Sequence, residues 1–349
     1  MTPLGRRLAR EIEATGPMPV SRYMAECLAH YYATRDPLGR AGDFITAPEI
    51  SQVFGELIGA WMADLWLRAG APERFHLVEL GPGRGTLMAD LWRATARIPG
   101  FQAAAEVRFV ETSPTLRQAQ ALRMPDADWH DRLDEVPVDA PLLLVANEFF
   151  DALPIRQLVK TEAGWRERMV AYRDGRFFYA AGLASLDVLV PATLLKAPPG
   201  SVVELAPAAS AVAAEIGARL AEQRGAALII DYGHSGPVTG DTLQAVKGHA
   251  FADPFTDPGE ADLTAHVDFT AIAQAARPAR AWGPIGQGAF LTSLGIEPRT
   301  EALAARAGRA GQAERLRSGT ARLVGDDAMG SLFKALALTA GDWPQPAGF

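Results

Sequence analysis

An open α/β sheet with helices on both faces is the fold class this sequence predicts, and three observations carry it. Short strand-like runs recur at residues 75–80, 107–111, 142–146 and 226–231, and the run at 142–146 is continuously apolar. Runs of that length without polar alternation suit parallel strands covered on both faces. Helical stretches separate them at 86–96, 114–121 and 207–224. Strands alternating with helices predict a doubly wound sheet. The first run ends in an alternating-glycine turn, Gly81-Pro82-Gly83-Arg84-Gly85, at the kind of strand end where open sheets hold ligands.

Two helical segments precede the sheet. Leu4, Leu8 and Ile12 are four apart, and Tyr23, Met24, Cys27, Leu28, Tyr31 and Tyr32 form a second apolar stripe. Gly16-Pro17-Met18-Pro19 breaks the two. Residues 36–48 read as a loop. Pro48-Glu49 then opens a helix expected to run through about Ala69, its apolar positions keeping a 3.6 period. Residues 156–205 look different: short β-like pieces flank an Asp174-Gly175 turn, so a β-hairpin insertion is expected there. Residues 233–268 are loop-rich. Helices are expected at 269–281 and 299–317, and a short helix or strand at 329–338.

A chain of 349 residues allows two domains, or one large domain with insertions. With 48% hydrophobic and 21% charged residues it is too apolar to be disordered. The net charge of −7 places a dedicated nucleic-acid binder behind other readings. Cys27 is the single cysteine, which excludes an intramolecular disulfide framework and a Cys-rich metal site. No run approaches the roughly 18 apolar residues of a membrane span. Glu11 and Glu13 follow Arg6, Arg7 and Arg10, which disfavours a signal or transit peptide. A soluble cytoplasmic protein without membrane insertion is therefore expected.

Five constellations could carry chemistry. The glycine turn follows Glu79, and Thr86 stands where a dinucleotide fingerprint needs Gly or Ala. That weakens an NAD-dependent oxidoreductase. A carboxylate two residues before the first glycine suits a cationic ligand such as S-adenosylmethionine better than a diphosphate. The second strand ends at Glu111, placed to accept both hydroxyls of a ribose. Trp129 and His130, just past the second helix, are expected to flank the adenine. At the third clear strand end, Asn147, Glu148 and Asp151 could hold an amine or guanidinium beside the methyl donor and favour loss of its proton. Asn147 and Asp151 could equally cap the following turn. Asp43, Thr46 and Glu49 precede or open a helix, which by itself is ordinary capping. The fifth, around His249, is read together with Asp231-Tyr232 at another strand end as a substrate-facing side. No metal is expected, because no His pair has ligand spacing. A serine hydrolase is disfavoured by the absence of a Gly-x-Ser-x-Gly elbow.

Residues 42–56 (GDFITAPEISQVFGE), 79–85 (ELGPGRG), 147–154 (NEFFDALP), 231–233 (DYG) and 259–268 (GEADLTAHVD) resemble, in that order, the MidA family of S-adenosylmethionine-dependent methyltransferases. This family is related to a mitochondrial assembly factor of respiratory complex I. The resemblance spans almost the whole chain. It implies a class I, Rossmann-like, seven-stranded methyltransferase sheet with a helical N-terminal cap at 1–70. A cofactor-binding half would follow at 71–155, then the β-rich insertion at 156–205, then the rest of the core at 206–349 with a substrate-side loop at 233–268. It implies S-adenosylmethionine as cofactor and methylation of protein arginine, with a respiratory complex I subunit or its counterpart as the protein partner. It maps the glycine motif onto Gly81, Gly83 and Gly85 and the ribose acid onto Glu111, and it folds residues 43–49 over the cofactor. Asn147, Glu148 and Asp151 take the catalytic side; Glu49, Asp231, Tyr232 and His249 take the substrate side. The alternative is a non-catalytic assembly factor that retains the fold.

Overall fold

The computed structural model describes residues 1–34 and 45–349. It contains two compact units: one made of 45–150, 212–234 and 269–349, the other of the N-terminal residues, 151–211 and 235–268.

The first unit is built on a sheet. Seven of its strands are β1 (Phe75–Leu80), β2 (Ala105–Val110), β3 (Asp128–His130), β4 (Leu142–Asn147), β5 (Gly225–His234), β6 (Arg280–Gly286) and β7 (Phe333–Thr339). They follow one path in the order β6-β7-β5-β4-β1-β2-β3. β1 pairs in parallel with β2 and β4, and β4 with β5, whereas β7 runs antiparallel to both of its neighbours. Every residue of β1 and β4 is buried, and β4 accordingly reads as an unbroken apolar run up to Asn147. From β1 the chain winds outward to β2 and β3, then returns to the other side of β1 as β4. The order reverses between β1 and β4, and their carboxyl ends therefore flank a crevice.

Four helices matter here: α1 (Gln52–Arg68), α2 (Thr86–Thr95), α3 (Pro114–Arg123) and α4 (Pro207–Gln223). The helix expected to run unbroken from residue 48 is interrupted at Ser51. A single turn, Ala47–Ile50, ends there, and Ser51 turns extended at φ −153° while its hydroxyl accepts from the Val53 amide at 3.3 Å to cap α1. The sheet unit also claims α1, which was expected in the N-terminal cap. Gly55 and Gly59 explain this. A Cβ on Gly55 would stand 2.7 Å from Asp90 Cβ, and one on Gly59 3.0 Å from Leu91 Cα, so α1 lies directly against α2.

Three further expectations change near the C-terminus. The helix at 269–281 stops at Ala275, and β6 takes up 280–286. The helix at 299–317 is two, Ile296–Ala304 and Gln312–Val324, with a left-handed Gly311 capping the second. Residues 329–338 divide into one helical turn, Met329–Leu332, and β7.

The second unit has its own cores. Helices Pro3–Thr15 and Val20–Thr34 bury Leu4, Leu8, Ile12 and Tyr23 with Val170, Phe177 and Leu263. Strands Arg156–Thr161, Gly164–Arg173, Arg176–Ser185 and Val202–Leu205 form most of a five-stranded sheet, completed by Met18–Pro19. The expected hairpin is there: Arg173 pairs with Arg176 across Asp174 and Gly175, at φ 52° and 81°. Two consecutive left-handed residues make the turn whose twist matches the strands. The stretch expected to be loop-rich also holds three short strands, Gln244–Lys247, Ala250–Ala252 and Asp262–Thr264, paired in one sheet. Among the described residues no helix is long and apolar enough to cross a membrane.

Candidate active site

The turn after β1 is shaped by backbone geometry that side chains resist. Gly81, Gly83 and Gly85 have φ of 60°, 54° and 75°, the left-handed region that glycine enters without cost. The Gly81 amide donates to Val110 O at 3.0 Å, tying the turn to β2, and Gly85 becomes the N-cap of α2. A Cβ on Gly81 would lie 2.8 Å from the Phe149 ring, so the turn also closes against the segment after β4. Just before it, Glu79 is buried. Burial holds its carboxyl well above the ordinary carboxylate range, opposed by a hydrogen bond from the Met88 amide. Its Oε2 has no hydrogen-bond partner, an expensive arrangement for a buried carboxylate.

At the end of β2, Glu111 Oε1 accepts from the Ser113 amide at 2.8 Å and Oε2 from Gln120 Nε2 at 3.3 Å. Burial raises its carboxyl, and these hydrogen bonds oppose the shift. Gln120 is fully buried on α3. Its Nε2 also donates to Gly83 O at 2.7 Å, and its Oε1 accepts the Trp129 indole N–H at 2.7 Å. One amide thus joins the glycine turn, the acid and the indole. His130 takes a different part. Its carbonyl accepts from the Glu111 amide at 3.0 Å, while its Nε2 faces Arg108 Nη1 at 3.5 Å. Burial, and then Arg108, lower the His130 pKa.

Beyond β4 the chain makes a sharp turn. Glu148 adopts φ 50°, and its amide donates to Ile230 O at 2.9 Å. Its Oε1 accepts from Asn147 Nδ2 at 3.1 Å and from the Ala47 amide at 2.8 Å. Asn147 is buried, and its Oδ1 has no hydrogen-bond partner. Ala47 opens the short helical turn that begins after Thr46 and contains Glu49. Glu49 Oε1 accepts from the Thr86 hydroxyl at 2.5 Å, across to the first residue of α2. Thr46 occupies the N-cap position with no side-chain cap bond.

The remaining expected residues lie as follows. Asp231 is fully buried; its Oδ2 accepts from the Phe150 amide at 3.0 Å and its Oδ1 from the Tyr232 amide at 2.9 Å. Those two oxygens hold backbone, where a substrate-facing carboxylate was expected. Tyr232 packs edge-on to Phe333 at 5.3 Å. Asp151 belongs to the second unit, and its carbonyl accepts from the Ala265 amide at 3.0 Å. His249, in the same unit, is exposed at φ 63° in the turn between Gln244–Lys247 and Ala250–Ala252. Asp43 lies outside the described residues. Gln120 is the site residue that sequence reading missed. Its signal was a polar side chain four residues after Leu116, on the inward face of a predicted helix.

A sheet reversed at β1/β4, with a glycine turn and acids at its carboxyl ends, invites comparison with cofactor-binding α/β proteins. A family model described as a putative S-adenosyl-L-methionine-dependent methyltransferase matches residues 57–286. The chain belongs to this family. Its cofactor is S-adenosylmethionine, and the protein is a methyltransferase. The methyltransferase is 40% identical to the protein arginine methyltransferase NDUFAF7 homolog, mitochondrial, of Drosophila melanogaster, over 97% of this chain and 85% of that protein. It is 35% identical to the protein arginine methyltransferase NDUFAF7, mitochondrial, of Homo sapiens, over 97% and 83%. Among solved structures, a likely methyl transferase from Burkholderia thailandensis bound to S-adenosyl-homocysteine superposes with a TM-score of 0.84. The two share 28% identity over 99% of this chain and 93% of that one.

Proposed function

We propose that this methyltransferase modifies an arginine of a protein substrate, with cofactor and acceptor meeting at the carboxyl ends of β1 and β4. The donor set fits the cofactor. The unpartnered Glu79 Oε2 offers a buried negative partner for a cationic group. Gly81, Gly83 and Gly85 leave backbone, free of side chains, beside the α2 N-terminus. Glu111 is the acid for the ribose hydroxyls, and Trp129 is the flat apolar wall for the adenine. When bound, the cofactor supplies an electrophilic methyl group.

The observation that carries the acceptor side is the pair at the β4 end. Asn147 Oδ1 is buried without a partner, and the adjacent Glu148 carboxylate is fixed on a left-handed backbone by two donors to one oxygen. Two acceptors side by side suit a guanidinium, which presents N–H donors in a planar fork. Glu148 orients that fork and stabilises the proton that the attacking nitrogen must shed. Alignment of nitrogen with methyl accounts for much of the rate. The names of the relatives support arginine as the target. The family resemblance implies a respiratory complex I subunit or its counterpart as the protein.

The test is incubation of the purified protein with methyl-labelled donor and membranes containing complex I, followed by hydrolysis and amino-acid analysis. Labelled methylarginine in one complex I subunit is expected. Label in lysine or glutamine would overturn arginine; label in arginine of an unrelated protein would overturn the partner.

A further inference from the structure

We infer that Gln120 is a positioning residue for the nucleoside half of the cofactor, an inference that rests on the site proposed above. The three groups its side chain touches come from three successive strand–helix units. Gly83 belongs to the turn after β1, Glu111 to the end of β2, and Trp129 to β3. Glu111 and Trp129 are proposed to face the ribose and the adenine, and the same amide ties both to the glycine turn.

Chemistry restricts what can stand there. The position calls for two N–H donors, toward the Gly83 carbonyl and the Glu111 carboxylate, and one acceptor, toward the Trp129 indole. A primary amide supplies that set, and the geometry fixes its orientation. Turned over, its oxygen would meet a carbonyl and a carboxylate while its NH2 met another N–H, so all three contacts would be repulsive. A glutamate in its place would bring a second carboxylate against Glu111. A methionine would fill the volume and deprive three polar groups of this partner, each at a cost. The residue is fully buried, so it acts through the groups it holds. Gly85 packs beside it as well: a Cβ there would stand in ordinary contact, 3.5 Å from Gln120 Cα, so the helix carrying the amide adjoins the end of the glycine turn.

Titration calorimetry on the full chain tests this with two ligands. S-adenosylhomocysteine contains both halves of the cofactor, and methylthioadenosine lacks the amino-acid half. Gln120→Met is expected to raise Kd about tenfold for both ligands. Turnover at saturating cofactor should stay within about twofold of wild type, so the loss appears in the cofactor KM and not in kcat. Equal affinity of Gln120→Met and wild type would overturn the inference. So would a loss confined to S-adenosylhomocysteine, because the effect would then lie in the amino-acid half. Should Gln120→Met fail to fold, Trp129→Phe deletes the donor to Gln120 Oε1 and keeps a smaller aromatic face. About a threefold weakening for both ligands is expected from it, and unchanged affinity would overturn the inference. Failure of the wild-type protein to bind either ligand would instead sink the underlying reading of the site.

Discussion

Glu148 Oε1 lies 2.8 Å from the Ala47 nitrogen and 3.1 Å from Asn147 Nδ2, so two donors converge on one carboxylate oxygen. The same residue holds a left-handed backbone at φ 50°, which costs on the order of 1–3 kcal/mol for a non-glycine residue. A strained residue whose carboxylate is held this firmly is a preorganised one.

Glu148→Gln separates charge from shape. The glutamine Oε1 can accept both existing donors, so the turn should stay intact. Thermal melting and S-adenosylhomocysteine affinity are expected to match wild type, while methyl transfer falls by about a hundredfold, the scale of a lost acid–base group. Normal turnover in a labelled-donor assay would remove Glu148 from the chemistry.

Gly81→Ala tests the glycine turn. The new Cβ would sit 2.8 Å from the Phe149 ring at a position with φ 60°. Strain and overlap together should cost on the order of 1–3 kcal/mol of stability. Cofactor binding should weaken by more than the melting shift accounts for, since the displaced Phe149 adjoins Glu148. Denaturant titrations with and without S-adenosylhomocysteine read both quantities.

Glu79 makes the ligand-free protein sensitive to pH in a defined direction. Burial raises its folded-state pKa well above 4.5, so the native state holds a proton that the unfolded chain releases. Stability from this group is complete at acid pH and declines as pH rises from about 4.5 through the raised folded value. Glu79→Gln should abolish that decline and weaken S-adenosylhomocysteine binding without eliminating it. A cationic ligand group restores the ionised carboxylate, so binding by wild type should release a proton. Calorimetry in two buffers of different ionisation enthalpy measures the release, and its persistence in Glu79→Gln would assign the proton elsewhere.

How much of this was readable beforehand depended on burial. β4 and β5 were legible because strands covered on both faces carry continuous apolar runs, and β1 and β2 because each is a short β-like run followed by a helical stretch. β6 was not. It ends the path of the sheet, and Gly283-Pro284 within it reads as a break. Glu79, Glu111 and Glu148 stood out as acids at apolar strand ends. Gln120 did not, because a lone glutamine on a helix carries no local sign of the three partners that loops from elsewhere bring to it. Asp231 shows the converse. An acid at a strand end was visible, but whether it meets a ligand or the chain's own amides depends on the path after β4, which no local pattern encodes.

Asp231 therefore yields a prediction about stability. Its two oxygens accept from the Phe150 and Tyr232 amides, and the side chain is fully buried. Asp231→Ala would leave both amides without this partner, at about 1–3 kcal/mol for each donor that finds no other. The expected result is a loss of about 2–4 kcal/mol in denaturant titration. Asp231→Asn keeps one acceptor oxygen and should recover roughly half of it. Phe150 closes the segment that begins at Asn147, so loosening its amide should also lower turnover, in proportion to the stability lost across the two variants. A fall in turnover with no change in stability would instead make Asp231 a substrate-facing group and return it to the role its position at a strand end first suggested.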